Sequence, residues 1–259
     1  MSRPADWKNY EDFAAGIDTN RLPTTDALVG KSLALALGRQ RLTLNFQSRD
    51  ALTWSQGAEQ GRDWYEAIEV APSTFFIDMT FATKPREALT LIVNTQSRRV
   101  LSCLSVAGEV RVEGKPLVDQ YFTVGVVGDP GVAPIGIEPG PTRDLIGMRT
   151  FQRYSPRHLY EHTYLNSERY CWQCLVGEQR GHGDVDLASY YKFDEDQYLF
   201  TFREFLIPVA SVFFFNMKDL RSTGKFLGLT KDGAVQNNKA GAFIRKASVT
   251  HYDEGAGPV

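Results

Sequence analysis

The sequence lacks the features that would tie it to a membrane, a nucleic acid or a familiar catalytic nucleophile. No apolar run approaches the ~20 residues of a bilayer span, so no transmembrane helix is expected. Met1 to Tyr10 is polar and has no hydrophobic core of a secretory signal. Lysines and arginines are scattered and the formal net charge is −2. That leaves no basic footprint for nucleic acid and no polybasic cluster for an anionic membrane surface. Three cysteines cannot all pair, and so few suit a reducing compartment, so a cytoplasmic protein is the default expectation. Gly-rich phosphate cradles are missing. So are Gly-x-Ser-x-Gly and Cys-His-Asn nucleophile arrangements. No cofactor is expected.

What is present is mostly β-structure. The chain has 259 residues, near the size at which one core gives way to two. Residues 6–18 read as a short helix, because Trp7, Tyr10, Phe13, Ala14 and Ile17 recur at three- and four-residue spacing. Arg21 to Thr25 ends it. From Leu28 the period changes to two. Short strands recur about every ten residues, separated by turn signals such as Leu37-Gly38-Arg39, Ala71-Pro72-Ser73 and Thr95-Gln96-Ser97, a pattern of sandwiches and barrels. Gly128 to Pro141 holds four Gly and four Pro, a linker composition.

Beyond the linker the first half comes round again. Leu28-Val29-Gly30 matches Leu145-Ile146-Gly147. Leu42, Leu44, Phe46 and Trp54 match Tyr160, His162, Tyr164 and Trp172. Thr74 to Ile77 parallels Gln197 to Phe200, Leu91 to Asn94 parallels Phe213 to Asn216, and Gln120 to Val127 parallels Ala240 to Ala247. Each copy is an all-β unit of antiparallel strands joined by short turns, which closes most naturally as an up-and-down barrel. The expected organisation is a helix and lead-in (1–27), a first barrel (28–127), a linker (128–141), a second barrel (142–248) and a polar tail (249–259).

The copies differ inside. Leu35, Leu37, Leu42, Leu44 and Phe46 of the first become Gln152, Tyr154, Tyr160, His162 and Tyr164 in the second. Ser55 becomes Gln173, and Glu204 stands near the place of Ala82. Polar groups inside a barrel cost free energy unless they are hydrogen-bonded, so the second barrel is the expected ligand site and the first its scaffold. In the strand from His158 to Tyr164, alternation puts His158, Tyr160, His162 and Tyr164 on one face and Glu161 on the other. His158 is expected to be exposed near the strand start. Cys171-x-x-Cys174 lies in a strand, where residues three apart face opposite sides, and has no second pair to complete a metal site. Gly181 to Asp186 reads as a loop at the barrel mouth; a metal held by His182, Asp184 and Asp186 is the alternative.

The runs Leu145-Ile146-Gly147-Met148-Arg149, Tyr154-Ser155-Pro156-Arg157-His158-Leu159-Tyr160-Glu161-His162 and Tyr170-Cys171-Trp172-Gln173-Cys174-Leu175 resemble the MoaF family, labelled as molybdenum-cofactor biosynthesis protein F. The resemblance runs from about Leu28 to about Ser248. It implies a calycin (lipocalin-like) barrel in each half. The expected fold is therefore all-β: two tandem calycin-like antiparallel barrels with a short N-terminal helix. The second barrel is also similar to phenolic acid decarboxylases, another calycin family. Tyr154 and Glu204 match a tyrosine and the glutamate of that family's site. Gln152 and Gln173 stand where it has a second tyrosine and an arginine, so its decarboxylation is not carried over, while the cavity and its acid are.

These readings converge on a cofactor-independent enzyme of lyase, isomerase or cyclase type, acting on a small hydrophobic, aromatic or conjugated ligand. Glu204, His162 and Tyr154 are the expected catalytic groups. Gln152, Tyr160, Tyr164, Trp172, Gln173 and Phe202 are the expected ligand contacts, with no metal. A carboxyl inside an apolar barrel has its pKa raised and can serve as acid or base near neutrality, with His162 as partner. Tyrosine and glutamine donors would stabilise a carbonyl or phenolate that gains charge. A non-catalytic carrier or accessory protein would use the same cavity, and a purely structural module would have both barrels packed shut. A molybdopterin would bring phosphate, yet by strand phase Arg149, Arg153 and Arg203 point away from the cavity. No nucleic-acid or membrane partner is expected; a homo-oligomer is compatible with the sequence.

Overall fold

The strands of the first half bury alternate side chains, as a two-residue period dictates. In β1 (Ser32–Leu37) these are Leu33, Leu35 and Leu37; in β2 (Gln40–Phe46) they are Leu42, Leu44 and Phe46. With β3 (Ala51–Gln56), β4 (Glu59–Ala71), β5 (Thr74–Phe81), β6 (Lys84–Asn94), β7 (Arg99–Ala107) and β8 (Val118–Val127), they pair in chain order into a closed antiparallel barrel. This is a computed structural model of the chain and describes residues 6–259. The barrel closes through Leu35, Ala36 and Leu37 of β1 against Val127, Val126 and Gly125 of β8. A Cβ at Gly125 would land on the carbonyl oxygen of Ala36. Gly125→Ala should therefore cost about 1–3 kcal/mol, the usual toll of overpacking. An unchanged denaturation midpoint would show that the seam tolerates a side chain.

The second half repeats the design. After a two-residue bridge, β9 (Gly140–Pro141), come β10 (Met148–Ser155), β11 (His158–Tyr164), β12 (Arg169–Val176), β13 (Gly183–Asp194), β14 (Gln197–Arg203), β15 (Val209–Asn216), β16 (Arg221–Leu229) and β17 (Val235–Val249). β10 pairs with β17 and β12 with β13, which closes these eight strands into a second barrel, while β9 adds to the edge of β13.

The barrels pack side by side. Ile68, Phe76, Ile92 and Leu101 of the first meet Phe193, Leu199, Val212 and Phe214 of the second in one apolar cluster. That is why β15 is buried at every position: one face lines its own barrel and the other is the interface. Charged groups are sealed in as well. Lys225 on β16 lies 3.4 Å from Glu66 and 3.3 Å from Asp78. Arg21 and Lys239 also reach Glu66. Asp78 accepts further hydrogen bonds from Thr90 at 2.8 Å and Asn237 at 2.7 Å.

The N-terminal segment corrects one expectation and adds a contact that the sequence did not suggest. Its helix, α1 (Tyr10–Ala14), is only five residues long. It starts where the Asp12 carboxylate accepts the Asn9 backbone N–H at 2.8 Å and stops before Gly16, whose φ of +84° is a left-handed turn. Its apolar stripe packs on the second barrel, not on the first barrel that follows it in sequence: Tyr10, Phe13 and Ile17 belong to the second barrel's core. Tyr10 donates to the Phe226 carbonyl at 2.6 Å, and Gly241 donates its backbone N–H to the Ile17 carbonyl at 3.2 Å. Residues 6–17 thus form a strap across the mouth of barrel two.

Candidate ligand-binding site

The interior of barrel one is a plain apolar core. Barrel two keeps a cavity of about 30 Å³ under the strap, room for about two waters. Its walls are Tyr154 from β10, Tyr160 and His162 from β11, Tyr170 and Trp172 from β12, and Phe202 and Glu204 from the end of β14. Phe13 and Ile17 of the strap close the top. Alternation on three consecutive strands brings these residues together.

A brace shared by both barrels shows what is particular to this one. In barrel one the indole of Trp54 donates to Asp63 at 2.7 Å, and the backbone N–H of Ala82 donates to the other oxygen at 2.8 Å. In barrel two Trp172 donates to Asp186 at 2.9 Å and the N–H of Phe205 to its other oxygen at 3.3 Å. The brace makes Phe205 the counterpart of Ala82, and Glu204 the counterpart of Phe81. Phe81 packs edge-on against Trp54 with ring centroids 5.3 Å apart. A carboxyl therefore occupies the place of a ring that fills barrel one.

Glu204 is buried. Its backbone N–H donates to Val209, but among the described residues its carboxyl makes no hydrogen bond. Burial pushes its pKa well above the usual carboxylate range, and the carboxylates of Asp186 and Asp184 push it the same way. Asp186 is raised to about 7, by burial first and by Asp184 second, against the pull of Trp172. His162 is also buried, with Nδ1 sealed and unpartnered among the described residues. Burial drives its pKa down to about 3. Burial thus favours the protonated form of Glu204 and the uncharged form of His162. The hydroxyls of Tyr154 and Tyr170 make no hydrogen bond among the described residues, whereas Tyr160 donates to Gln179 at 2.8 Å.

Tyr154, Tyr160, His162, Trp172, Phe202 and Glu204 of the expected site line the cavity. Three others do not. Gln173 follows inward-facing Trp172 in a regular strand, so it points outward, where it donates to Glu161. Glu161 is covered on the outer face by that amide and by Arg149 at 2.8 Å. Gln152 and Tyr164 face inward but lie deeper along the barrel axis. Tyr164 pairs with Thr150 at 3.2 Å and packs on Phe200 and Tyr190, and Gln152 accepts from Ser222 at 3.2 Å. Together they are the packed floor. His158 is buried rather than exposed, its Nδ1 2.8 Å from Ser155 Oγ.

Sequence reasoning did not single out Asp186 or Tyr170 as cavity residues, nor Gln179, Phe226 and the strap. The parallel between Asp63 and Asp186 was the available signal for the brace. The segment expected as a mouth loop is strand from Gly183 on, paired to β12; there Asp186 turns inward while His182, just before it, lies 3.2 Å from Asp6 and edge-on to Trp7. His182, Asp184 and Asp186 therefore do not converge, and among the described residues no three His, Cys, Asp or Glu gather as metal ligands. Arg149 and Arg203 are engaged outside the cavity, and Arg153 is exposed. Among the described residues no helix is long and apolar enough to cross a membrane.

Comparison with known proteins agrees with the tandem arrangement. Residues 5–109 match the MoaF N-terminal domain and residues 139–250 the MoaF C-terminal domain. Protein MoaF of Klebsiella aerogenes is 30% identical over 245 residues, which covers 91% of this chain and 92% of that protein. Among solved structures, a chain from Burkholderia vietnamiensis described as a candidate beta-lactamase aligns with 42% of this chain and 100% of its own, at 11% identity and a TM-score of 0.36. That likeness is too loose to carry an argument.

Proposed function

This chain belongs to the MoaF family, and within that membership we propose that its second barrel is a proton-transfer site for a small aromatic or conjugated ligand. The observation that carries the reading is the replacement of Phe81 and Leu44 of barrel one by Glu204 and His162, two buried groups whose side chains make no hydrogen bond among the described residues, in a cavity of mostly aromatic walls. A buried polar group without a partner is costly; two of them facing one space make sense when a ligand completes them.

The roles follow from the protonation states. Glu204 arrives as the acid, because burial and neighbouring carboxylates hold its proton. His162 arrives neutral, because burial disfavours its charged form, and becomes the acceptor once Glu204, in giving up its proton, leaves a carboxylate in the same cavity to favour the imidazolium. Donating at one ligand atom while accepting at another shifts a proton along a conjugated system, which is isomerase chemistry. It becomes lyase or cyclase chemistry when a bond breaks or closes in the same event. Tyr154 and Tyr170 supply hydroxyls to orient the ligand. A phosphate-bearing pterin finds no lysine or arginine among the described residues of this lining. The cavity under the strap is too small for a drug-sized molecule, so the ligand takes the space that Phe13 and Ile17 now fill, with Gly16 as the turning point.

Native mass spectrometry of freshly purified protein tests this. A small molecule should be released on unfolding, and the wild type should convert it while His162→Ala binds it unchanged. A wild type that binds and returns it unaltered is a carrier, the reading that the closed strap favours. A protein without such a molecule, in which residues 6–17 stay protected from hydrogen exchange as long as the barrel does, would sink both readings.

A further inference from the structure

The cavity discriminates by charge. Among the described residues no lysine or arginine contributes to its lining, and burial disfavours the charged form of His162. Against that stand two carboxyl groups: Glu204 in the wall, and Asp186 braced behind Trp172. Asp184 adds a third negative group nearby. Aromatic faces carry the negative side of their quadrupole, and rings from Tyr154, Tyr170, Trp172, Phe202 and Phe226 border the space. The chain pairs buried carboxylates with its own cations elsewhere: Glu66 at the barrel interface has Arg21, Lys225 and Lys239. Glu204 has none. An enolate, phenolate or carboxylate in the ligand would find neutral donors in Glu204 and the tyrosines but no cation among the described lining residues, with Asp186 and Asp184 close by. A cation would find the ring faces and two carboxyls, the combination that recognises organic ammonium groups.

We propose that the group the second barrel recognises is a basic nitrogen, an amine, imine or ring nitrogen held as a cation, with Glu204 as its counter-ion. This rests on the cavity being the ligand site described above. The step balances simply. The nitrogen lone pair takes the Glu204 proton, the O–H bond breaks as the N–H bond forms, and an ammonium or iminium is left beside a carboxylate. The stabilised charge is then positive, where the sequence alone suggested a carbonyl or phenolate gaining negative charge.

Benzyltrimethylammonium is a suitable probe for the full chain, since its benzyl ring matches the Phe13 side chain it would displace and its charge is permanent. Neopentylbenzene is its neutral isostere and phenylacetate an anion of similar bulk. Quenching of tryptophan fluorescence should show the cation binding about tenfold or more tighter than the isostere, the scale of a desolvated cation–π contact. Phenylacetate should bind less tightly than either. Glu204→Gln should level the cation and the isostere. Because the probe brings no proton, its binding should release one to the buffer, read by calorimetry in buffers of different ionisation heat. The release should fall in Glu204→Gln to what the remaining neighbours Asp186, Asp184, His162, Tyr160 and Tyr170 supply, chiefly Asp186; a release unchanged from wild type overturns the inference. Equal or tighter binding of the neutral or anionic probe overturns the inference and leaves the ligand site standing. The inference also falls if no probe binds to a protein that still releases a co-purified molecule. If neither is seen, both proposals fall together.

Discussion

Glu204→Gln should lower turnover of the cavity's ligand by about 10²- to 10⁴-fold, the usual worth of a placed acid, while making the protein more stable at alkaline pH. The amide keeps the shape of the side chain but has no acidic proton to give. The stability effect follows from linkage. The folded-state pKa of Glu204 lies above its unfolded value, so the folded protein keeps a proton that the unfolded chain gives up. The resulting stability is intact at acid pH and is lost as pH rises past the ordinary carboxylate range. Glutamine carries no such term. The variant should therefore gain on the wild type between pH 5 and pH 8 in chemical denaturation. His162 works in the other direction: with its pKa held down near 3, it weakens the wild type as pH falls below the ordinary imidazole value. A stability gap between variant and wild type that does not change with pH would mean that Glu204 is not held protonated, and unchanged turnover would put the chemistry elsewhere.

Lys225→Met should cost about 3–5 kcal/mol, the penalty for leaving buried carboxylates without their cation. Lys225 is 2% exposed and Asp78 is fully buried. Glu66 would keep Arg21 and Lys239, but Asp78 would keep only the neutral Thr90 and Asn237. Burial already holds the Asp78 carboxyl above its usual range, with Lys225 pulling it back. Without the lysine it rises further, so the loss should be greater at pH 8 than at pH 5. Adding Asp78→Asn to the variant should recover most of the stability, because the orphaned charge would then be absent while Glu66 keeps Arg21 and Lys239. A single variant within about 1 kcal/mol of wild type, the scale of an exposed pair, would show that this cluster does not hold the barrels together.

The barrels were legible in the sequence because alternation and repetition are both local signals. Tyr160 and His162 could be placed inside by phase alone, and the contrast with Leu42 and Leu44 marked them. Gln173 was misplaced because the parallel with Ser55 was followed over the phase of its neighbour Trp172. Alternation gives the face of a strand but not the depth, so Tyr164 and Gln152 could not be told from cavity residues until the sheet was closed. Asp186 was hidden by a longer turn. Trp54 pairs with Gly61 seven residues on, whereas Trp172 pairs with Asp184 twelve residues on, and the shift hides the match with Asp63. The apolar stripe of the N-terminal segment shows that it packs, but no periodicity shows against what.

That segment also sets an order of assembly. Tyr10 and the Phe226 carbonyl to which it bonds lie 216 positions apart. The strap is made first and docked last, since its seat does not exist until β16 has been synthesised and paired. Contacts of such sequence separation are among the slowest to form, and domains complete themselves from the N-terminus as the chain emerges. A ligand that meets the second barrel before the strap docks competes with Phe13 and Ile17 for that space, whereas one that meets the finished protein must first expel them.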